Sequence, residues 1–414
     1  MDEPGAHRPA DVLIIGGGIA GLEALLALRD LAPERVTLTL VAPDPDFIYK
    51  PLLVEEPFSH KPAEQRALGP IAEEFGAQFI QQGVATIRPA ERVVELDDGS
   101  TVRYGDAVVC VGASSVPALA RATTLWAPGG QLAIDELLTH AASHESRRIA
   151  FVVPSGATWP LPLYEIALMG SRRAVELGLR ELECVIVTPE EAPLAIFGPV
   201  ASDSVAALLS ARGIRLRTGA RAAEGDSGSL VLTPGHERLE IADCVALPVM
   251  EGPRLTGLPA DENGFVPIDE HARVQGVDHV YAAGDGTNFP IKQGGLATQQ
   301  ADAAAEHIAA RFGASVDPRP FRPVLRVKLL TGDESLNLRS NVAGGAGEGI
   351  ATSDFLWWPP NKVGGRYLAP WLAGEQGQLD PEPPLRPLDV EVALPKEWHR
   401  EPMTMDHLRP PDVE

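Results

Sequence analysis

An α/β fold is what this sequence predicts: two Rossmann-like dinucleotide-binding domains, the second inserted in the first, plus a small C-terminal α+β region. Three observations carry the prediction. An apolar strand runs straight into a Gly-x-Gly-x-x-Gly loop and a helix near the start of the chain. A second strand–loop–helix unit begins near residue 149. The strand–turn–helix stretch that completes the first unit comes only at Val280–Ala301. The expected segments are 1–114 and 266–315 for the first unit, 115–265 for the second, 316–373 for the C-terminal region and 374–414 for a tail rich in proline and acid.

In chain order, Asp11–Ile15 is a continuous apolar run, as a strand buried on both faces requires. Gly16-Gly17-Gly18-Ile19-Ala20-Gly21 follows, with Leu22, Leu25, Leu26 and Leu28 at helical spacing. Gly16 permits the tight turn, Gly18 lets the backbone approach a pyrophosphate, and Gly21 lets helix and strand pack closely; Ile19 and Ala20 open the helix whose N–H groups face the ligand. The next strand is Val36–Val41. Where an acid usually closes such a strand to bind the adenosine ribose stands Ala42, and Asp44 takes that contact from the loop. Phe47 and Tyr49 then flank Pro51, either packing on a cofactor or packing in the core. Gly83–Val94 and Ser100–Val111 read as strands around an Asp97-Asp98-Gly99 turn. The second closes on Gly112-Ala113, which suits a chain crossing tightly over a bound ligand.

Ile149–Val153 opens the second unit, with a helix at Tyr164–Leu177 and strands at Cys184–Val187 and Ile241–Leu247. Its loop, from Pro154 to Pro162, has one glycine (Gly156) where a phosphate cradle wants three. Trp159 and the prolines crowd the space, and prolines supply no N–H donors. Nucleotide binding at this second unit is therefore left unsupported.

Val280–Ala283 is a short strand, followed by the Gly284-Asp285-Gly286 turn and a helix opening near Gly295. A strand-end carboxylate can accept hydrogen bonds from ribityl hydroxyls, while helix N–H groups and the positive helix end suit an electron-rich pyrimidine edge. That combination points to a flavin. Beyond Phe312, Val324–Leu330 and Leu336–Leu338 read as strands. A glycine-rich link (Gly344, Gly345, Gly347, Gly349) leads to Phe355-Leu356-Trp357-Trp358 and Tyr367–Leu372, which hold three of the six tryptophans. This cluster covers the flavin, forms a homodimer contact, lines an apolar substrate site, or simply packs the C-terminal region.

The formal charge of −22 disfavours nucleic-acid binding and adsorption to anionic lipid. Cys110, Cys184 and Cys244 lie far apart in apolar runs, so neither a disulfide framework nor a metal site is expected. The acidic, polar first residues are unlike a secretory leader, and a cytoplasmic location is the expectation. His60, His140, His144, His271 and His307 have no carboxylate at catalytic spacing.

With those residues in view, the chain resembles the pyridine nucleotide–disulfide oxidoreductase superfamily of two-dinucleotide-domain flavoproteins, from about Asp11 to Leu372. Within it the resemblance is to the sulfide:quinone oxidoreductase and type II NADH dehydrogenase branch. The parts that carry it are GGGIAG, VVCVGA and YAAGDGTNFPIKQGG. Ala42, Phe47, Tyr49 and Pro51, with the Leu161-Pro162-Leu163-Tyr164-Glu165 helix entry, look more like the sulfide:quinone side. The resemblance implies FAD, its pyrophosphate held by Gly16, Gly18 and Gly21. Asp285 would bind the ribityl chain or pyrophosphate, with Gly112 and Gly284 in the same cradle. Lys292 and the helix start at Gly294, Gly295 and Leu296 would lie at the N1–O2 edge of the flavin, where a cation or helix end stabilises the reduced, anionic ring.

The departures are specific. Sulfide:quinone oxidoreductases use a cysteine pair beside the flavin; here Thr158 and Trp159 stand at one such position, and no cysteine follows Cys244. The disulfide reductases' CxxC and the NADH branch's glycine-rich second loop are also absent. The resemblance thus implies an FAD-dependent oxidoreductase passing two electrons from a small-molecule donor to a quinone-like acceptor, with Trp357, Trp358, Tyr367 and Trp371 building an apolar pocket or a shallow membrane contact. No basic amphipathic helix supports stable anchoring. Two alternatives stay open: an NAD(P)H-dependent FAD oxidoreductase, and a non-enzymatic FAD-bound sensor or assembly partner. Glu165 is either an acid or base facing the flavin or an ordinary first-turn acid.

Overall fold

The computed structural model describes residues 7–59, 65–126, 133–226, 228–333, 335–339, 350–353, 356–357 and 359–375. Its first sheet has seven strands. In spatial order they are Ala77–Gln81, Leu38–Ala42, Ala10–Ile15, Thr101–Val109, Val93–Leu96 and Val84–Arg88, with Val280–Ala282 also paired to Thr101–Val109. That long strand changes partner along its length. Thr101 to Arg103 pair antiparallel with Val93–Glu95, while Ala107 to Val109 pair in parallel with Val280–Ala282. The strand from late in the chain thereby completes the sheet begun at Ala10. The apolar runs behave as central strands should: Val12, Leu13, Ile14, Leu40, Val41, Ala107 and Val108 are buried on both sheet faces. Helices Ile19–Leu31 and Gly294–Arg311 pack side by side through alanines and leucines, joining one core with Tyr281 and Val41.

The second sheet is parallel throughout, ordered Thr123–Thr124, Asp243–Ala246, Arg148–Val152, Glu183–Val187 and Arg215–Arg217. An antiparallel three-stranded sheet, Arg221–Glu224, Ser229–Thr233 and Glu237–Glu240, lies within the last crossover, between Arg215–Arg217 and Asp243–Ala246. Arg326–Leu329, Leu336–Arg339 and Ile350–Thr352 form a small C-terminal antiparallel sheet, and helix Leu368–Glu375 lies on helix Ile19–Leu31.

Two local expectations are corrected. Gly83–Val94 is not one strand: Val84–Arg88 and Val93–Leu96 flank a 3₁₀ turn at Pro89–Glu91, with Arg92 at φ +52°. Pro89 presets the turn and supplies no N–H for a continuing ladder. The helix expected from Tyr164 begins at Leu161, because Pro162 is tolerated in a first turn whose N–H groups are unpaired in any case.

The described tryptophans of the C-terminal cluster pack on their own chain. Trp357 is buried and donates its indole N–H to the Asn361 carbonyl at 2.9 Å. Trp371 meets Phe75 edge-on, with Arg66 over its ring. Gly344, Gly345, Gly347, Gly349, Phe355, Trp358, His60 and the tail beyond Glu375 lie outside the described residues. Among the described residues, no helix is long and apolar enough to cross a membrane.

Candidate functional site

The glycine loop explains its own composition. Gly16 sits at φ +111°, and a Cβ there would lie 2.3 Å from the Cys110 carbonyl oxygen; one on Gly21 would lie 1.9 Å from the Gly16 oxygen. Strand, loop and helix are therefore in backbone contact that no side chain allows. Gly18 differs: it is exposed, and a Cβ there would meet nothing within 4 Å. It also occupies the N-cap of helix Ile19–Leu31, where no side chain caps the first turn. Ile19 and Ala20 lie in that first turn, whose unpaired N–H groups and positive helix end are what a pyrophosphate takes.

Three remote segments close on this loop. Gly284 sits at φ +87°, and a Cβ on it would come within 3.3 Å of the Ala20 Cβ and 3.6 Å of the Ala297 Cβ. A Cβ on Gly286 would lie 2.7 Å from the Gly112 oxygen, while Gly112 itself, at φ +75°, faces open space. Asp285 thus projects from a turn packed against the glycine loop. Its half-buried carboxylate makes no hydrogen bond among the described residues, and burial pushes its pKa up, with Lys292 and Lys50 opposing. A carboxylate left without donors at a strand end fits a ligand bearing hydroxyls. Sequence reading missed Lys50, whose signal was only its place between Tyr49 and Pro51. Asp44 is exposed in the loop after Ala42, at the same sheet end as Gly16, whose N–H bonds to the Val41 carbonyl.

The second helix start is partly spoken for. The Gln293 side chain caps helix Gly294–Arg311 by accepting from the Leu296 N–H at 2.9 Å, so Leu296, expected at the flavin edge, already spends its N–H within the protein. Lys292 turns into its own loop: its ammonium donates to the Thr287 and Phe289 carbonyls and lies 3.7 Å from the centre of the Phe265 ring. Burial draws its pKa down from 10.5 to about 7, with Asp285 and Asp261 opposing. Folding then expels a proton between those two values, so the stability tied to Lys292 is greatest above pH 10.5 and falls as pH drops toward 7. Lys292→Met has no proton to expel. Its thermal midpoint is expected to lose the part of the pH slope that the wild type shows between pH 7 and 10, in a set of melts across that range.

Glu165 is neither a first-turn acid nor exposed. It lies inside helix Leu161–Glu176 with no accessible surface, its Oε1 accepting from the Leu330 N–H at 2.8 Å and from the Lys362 ammonium, while Oε2 has no partner among the described residues. Burial raises the Glu165 pKa against the pull of Lys362, and burial lowers that of Lys362 against Glu165 and Glu55. The next residue, Val363, covers the start of helix Gly294–Arg311: a Cβ on Gly294 would lie 2.9 Å from its Cγ2. The Val363 N–H donates to the buried Tyr49 hydroxyl at 2.9 Å, so Tyr49 ties this segment to the first unit, while Phe47 is plain core. Nothing in the sequence around Lys362 signalled this pair.

The sequence profile of the pyridine nucleotide-disulphide oxidoreductase family matches residues 10–152 and 164–307, spanning both sheets and the helix from Gly294. The chain belongs to that family. Its cofactor is FAD, as the uncapped helix start, the open face of Gly18 and the unpartnered Asp285 carboxylate fit. The ferredoxin reductase component of chlorobenzene dioxygenase from Cupriavidus sp. (strain PS12) is 25% identical over 324 residues, 74% of each chain. A ferredoxin–NAD(P)(+) reductase from Sphingomonas sp. is 31% identical over 110 residues, and the sulfide-quinone reductase of Aquifex aeolicus (strain VF5) 27% over 103 residues. These last two alignments span about a quarter of each chain. The crystal structure of the sulfide:quinone oxidoreductase from Aquifex aeolicus superposes with a TM-score of 0.74 at 19% identity, covering 82% of this chain and 86% of that one. It shares the fold.

The second unit itself offers little to a nucleotide. Pro160 holds the helix N-cap and Pro162 the first turn, so donors are missing where a phosphate would sit. Trp159 leans edge-on against Phe197 and is half-buried in the unit's own core. Glu190, beyond the second strand of the unit, is already bound by the Tyr164 hydroxyl at 2.8 Å and that of Thr188 at 2.9 Å. Cys110, Cys184 and Cys244 are free and buried, and burial pushes each thiol up to about 12. At neutral pH they carry no appreciable thiolate, the reactive form.

Proposed function

We propose that this FAD-dependent oxidoreductase passes two electrons through the flavin to a quinone-like acceptor. FAD, when bound, supplies the two-electron redox centre. The observation that carries the reading is the Glu165–Lys362 pair, one residue from the side chain that covers the Gly294 helix start. A quinone takes up protons along with electrons, and a buried carboxylate with one free oxygen beside a buried ammonium can hold a proton at Glu165 Oε2 and replace it from Lys362 Nζ. Asp285, Gly18 and the two helix starts bind and orient the cofactor. Lys292 fixes the loop beneath them and, with Asp285, keeps charge close to the site.

The donor is a small molecule that reaches the flavin without a cysteine relay, since all three thiols are buried and protonated. Similarity to ferredoxin reductases supports a second reading, in which NAD(P)H reduces the flavin; the occupied Glu190 and the proline-bearing helix start weigh against it. FAD-loaded protein is therefore to be mixed anaerobically with a donor panel including sulfide, NADH and NADPH, then with a short-chain soluble quinone. The expected result is donor-dependent quinone reduction. No reduction with any donor would sink the proposal, and a flavin band bleached by NADPH or NADH would favour the second reading.

A further inference from the structure

Residues 362–368 run across both helices that face the cofactor. The Val363 N–H is held by Tyr49, and Gly365 lies so close to the helix pair that a Cβ would fall 2.7 Å from Glu23 Oε2 and 3.0 Å from Thr298 Cγ2. The N–H groups of Tyr367 and Leu368, which open helix Leu368–Glu375, donate to the two oxygens of Glu23 at 2.8 and 2.7 Å. Glu23 itself is fully buried in helix Ile19–Leu31. Across from it, on helix Gly294–Arg311, stands Asp302, within hydrogen-bond reach of Glu23 and with its Oδ1 buried and without a partner among the described residues.

Two carboxyl groups share a hydrogen bond only when one of them carries the proton. Both Glu23 oxygens accept backbone N–H groups, which favours the charged form there. The neutral partner is then Asp302. The other charges around it do not replace that proton. Glu306, on the same helix, is taken by Arg319 at 2.8 Å and Arg366 at 3.0 Å, so those arginines serve Glu306 first. Tyr367, whose hydroxyl is also buried without a partner among the described residues, lies under Arg366 and near Asp302, Glu306 and, from the first helix, Asp30.

We propose that Asp302 carries a proton which it donates to Glu23, and that this acid pair is a pH-sensitive latch holding residues 365–368 across the two cofactor-facing helices. When Asp302 loses that proton to solvent, two carboxylates face each other in a buried space and the segment lets go. Burial and the neighbouring Glu23 push the Asp302 carboxyl well above its usual range, and burial also raises Glu23 against its backbone donors. The latch is therefore complete at acidic pH and is lost as pH rises through the raised value of Asp302.

Trypsin reads the latch directly, because Arg366 is exposed and the bond after it is the one Glu23 holds. FAD-loaded full chain is to be digested between pH 6 and 9, cleavage after Arg366 followed by mass spectrometry and normalised to a short peptide carrying the same bond. Wild-type cleavage is expected to accelerate with pH, by up to about tenfold per unit, the limit for a single proton. Asp302→Asn offers Glu23 an N–H at every pH and should stay slow and flat. Glu23→Gln sets an amide NH₂ against a backbone N–H and should be fast and flat. A wild type without pH dependence, an Asp302→Asn protein with the wild-type slope, or a Glu23→Gln protein that behaves like the wild type would each overturn the latch. If Asp302→Asn does not fold, the other two proteins decide.

Discussion

Gly18→Val is expected to give a folded, colourless protein. The backbone at Gly18 has φ −85° and ψ −167°, which a β-branched residue adopts without strain, and a Cβ there meets no protein atom within 4 Å. The melting temperature should stay close to that of wild-type apoprotein. The space the valine fills, however, is the open face above the helix start. Each charge-assisted hydrogen bond from a backbone N–H to a phosphate is worth about 1.5–3 kcal/mol, so losing that approach should weaken FAD binding about a hundredfold or more. Gly21→Val is expected to fail differently. Its Cβ would overlap the Gly16 carbonyl at 1.9 Å, and neither backbone can retreat. Overpacking of that kind costs about 3 kcal/mol or more, and little soluble protein should result. The ratio of flavin to protein absorbance, read beside far-UV melts, separates the two. A Gly18→Val protein that stays yellow through dialysis would remove the pyrophosphate from this loop.

Breaking the Glu165–Lys362 pair should have the second largest effect, in two separable parts. Lys362→Met leaves Glu165 buried without its cation and should cost about 3–5 kcal/mol of stability. Replacing both, as Glu165→Leu with Lys362→Met, removes both buried charges and should recover most of that loss. Acceptor turnover should not recover. On the proposed function, neither side chain is left to hold the proton a quinone takes up, and flavin reoxidation by quinone is expected to stay about 10²–10⁴-fold slower than in the wild type. Flavin reduction by the donor should change little. Stopped-flow absorbance of the two half-reactions, with thermal melts on the same samples, is the measurement. Wild-type reoxidation in the double variant would reduce the pair to a structural bridge.

How much of this was legible in the sequence depends on where each cause lies. The first strand, its glycine loop and the Val280–Ala301 stretch were readable because local residues dictate them: Gly16 and Gly21 fill positions where any side chain collides with backbone. The approach of the two stretches to each other followed from the parallel sheet: the Ala283 N–H bonds to the Val109 carbonyl, and Gly284 packs against Ala20. What stayed hidden were contacts made by lone residues across long separations. Lys362 meets Glu165 across 197 positions and Glu23 meets Leu368 across 345, and neither Lys362 nor Glu23 sits in a motif. The same holds for Lys292, which the sequence placed at a helix start but whose ammonium bends back to two carbonyls of its own loop. Local spacing says nothing about which way such a long side chain turns.

The partner change along Thr101–Val109 also orders events during synthesis. Val280–Ala282 docks against Ala107 to Val109, so the sheet begun by the first strand waits for roughly 170 further residues before its last place is filled. Until then the cleft has one wall, with the glycine loop present and Asp285 still on the ribosome. Such a distant pairing carries a high chain-entropy cost and forms slowly. The inserted unit is therefore made before the second wall, and a flavin can be trapped only once the chain extends past helix Gly294–Arg311.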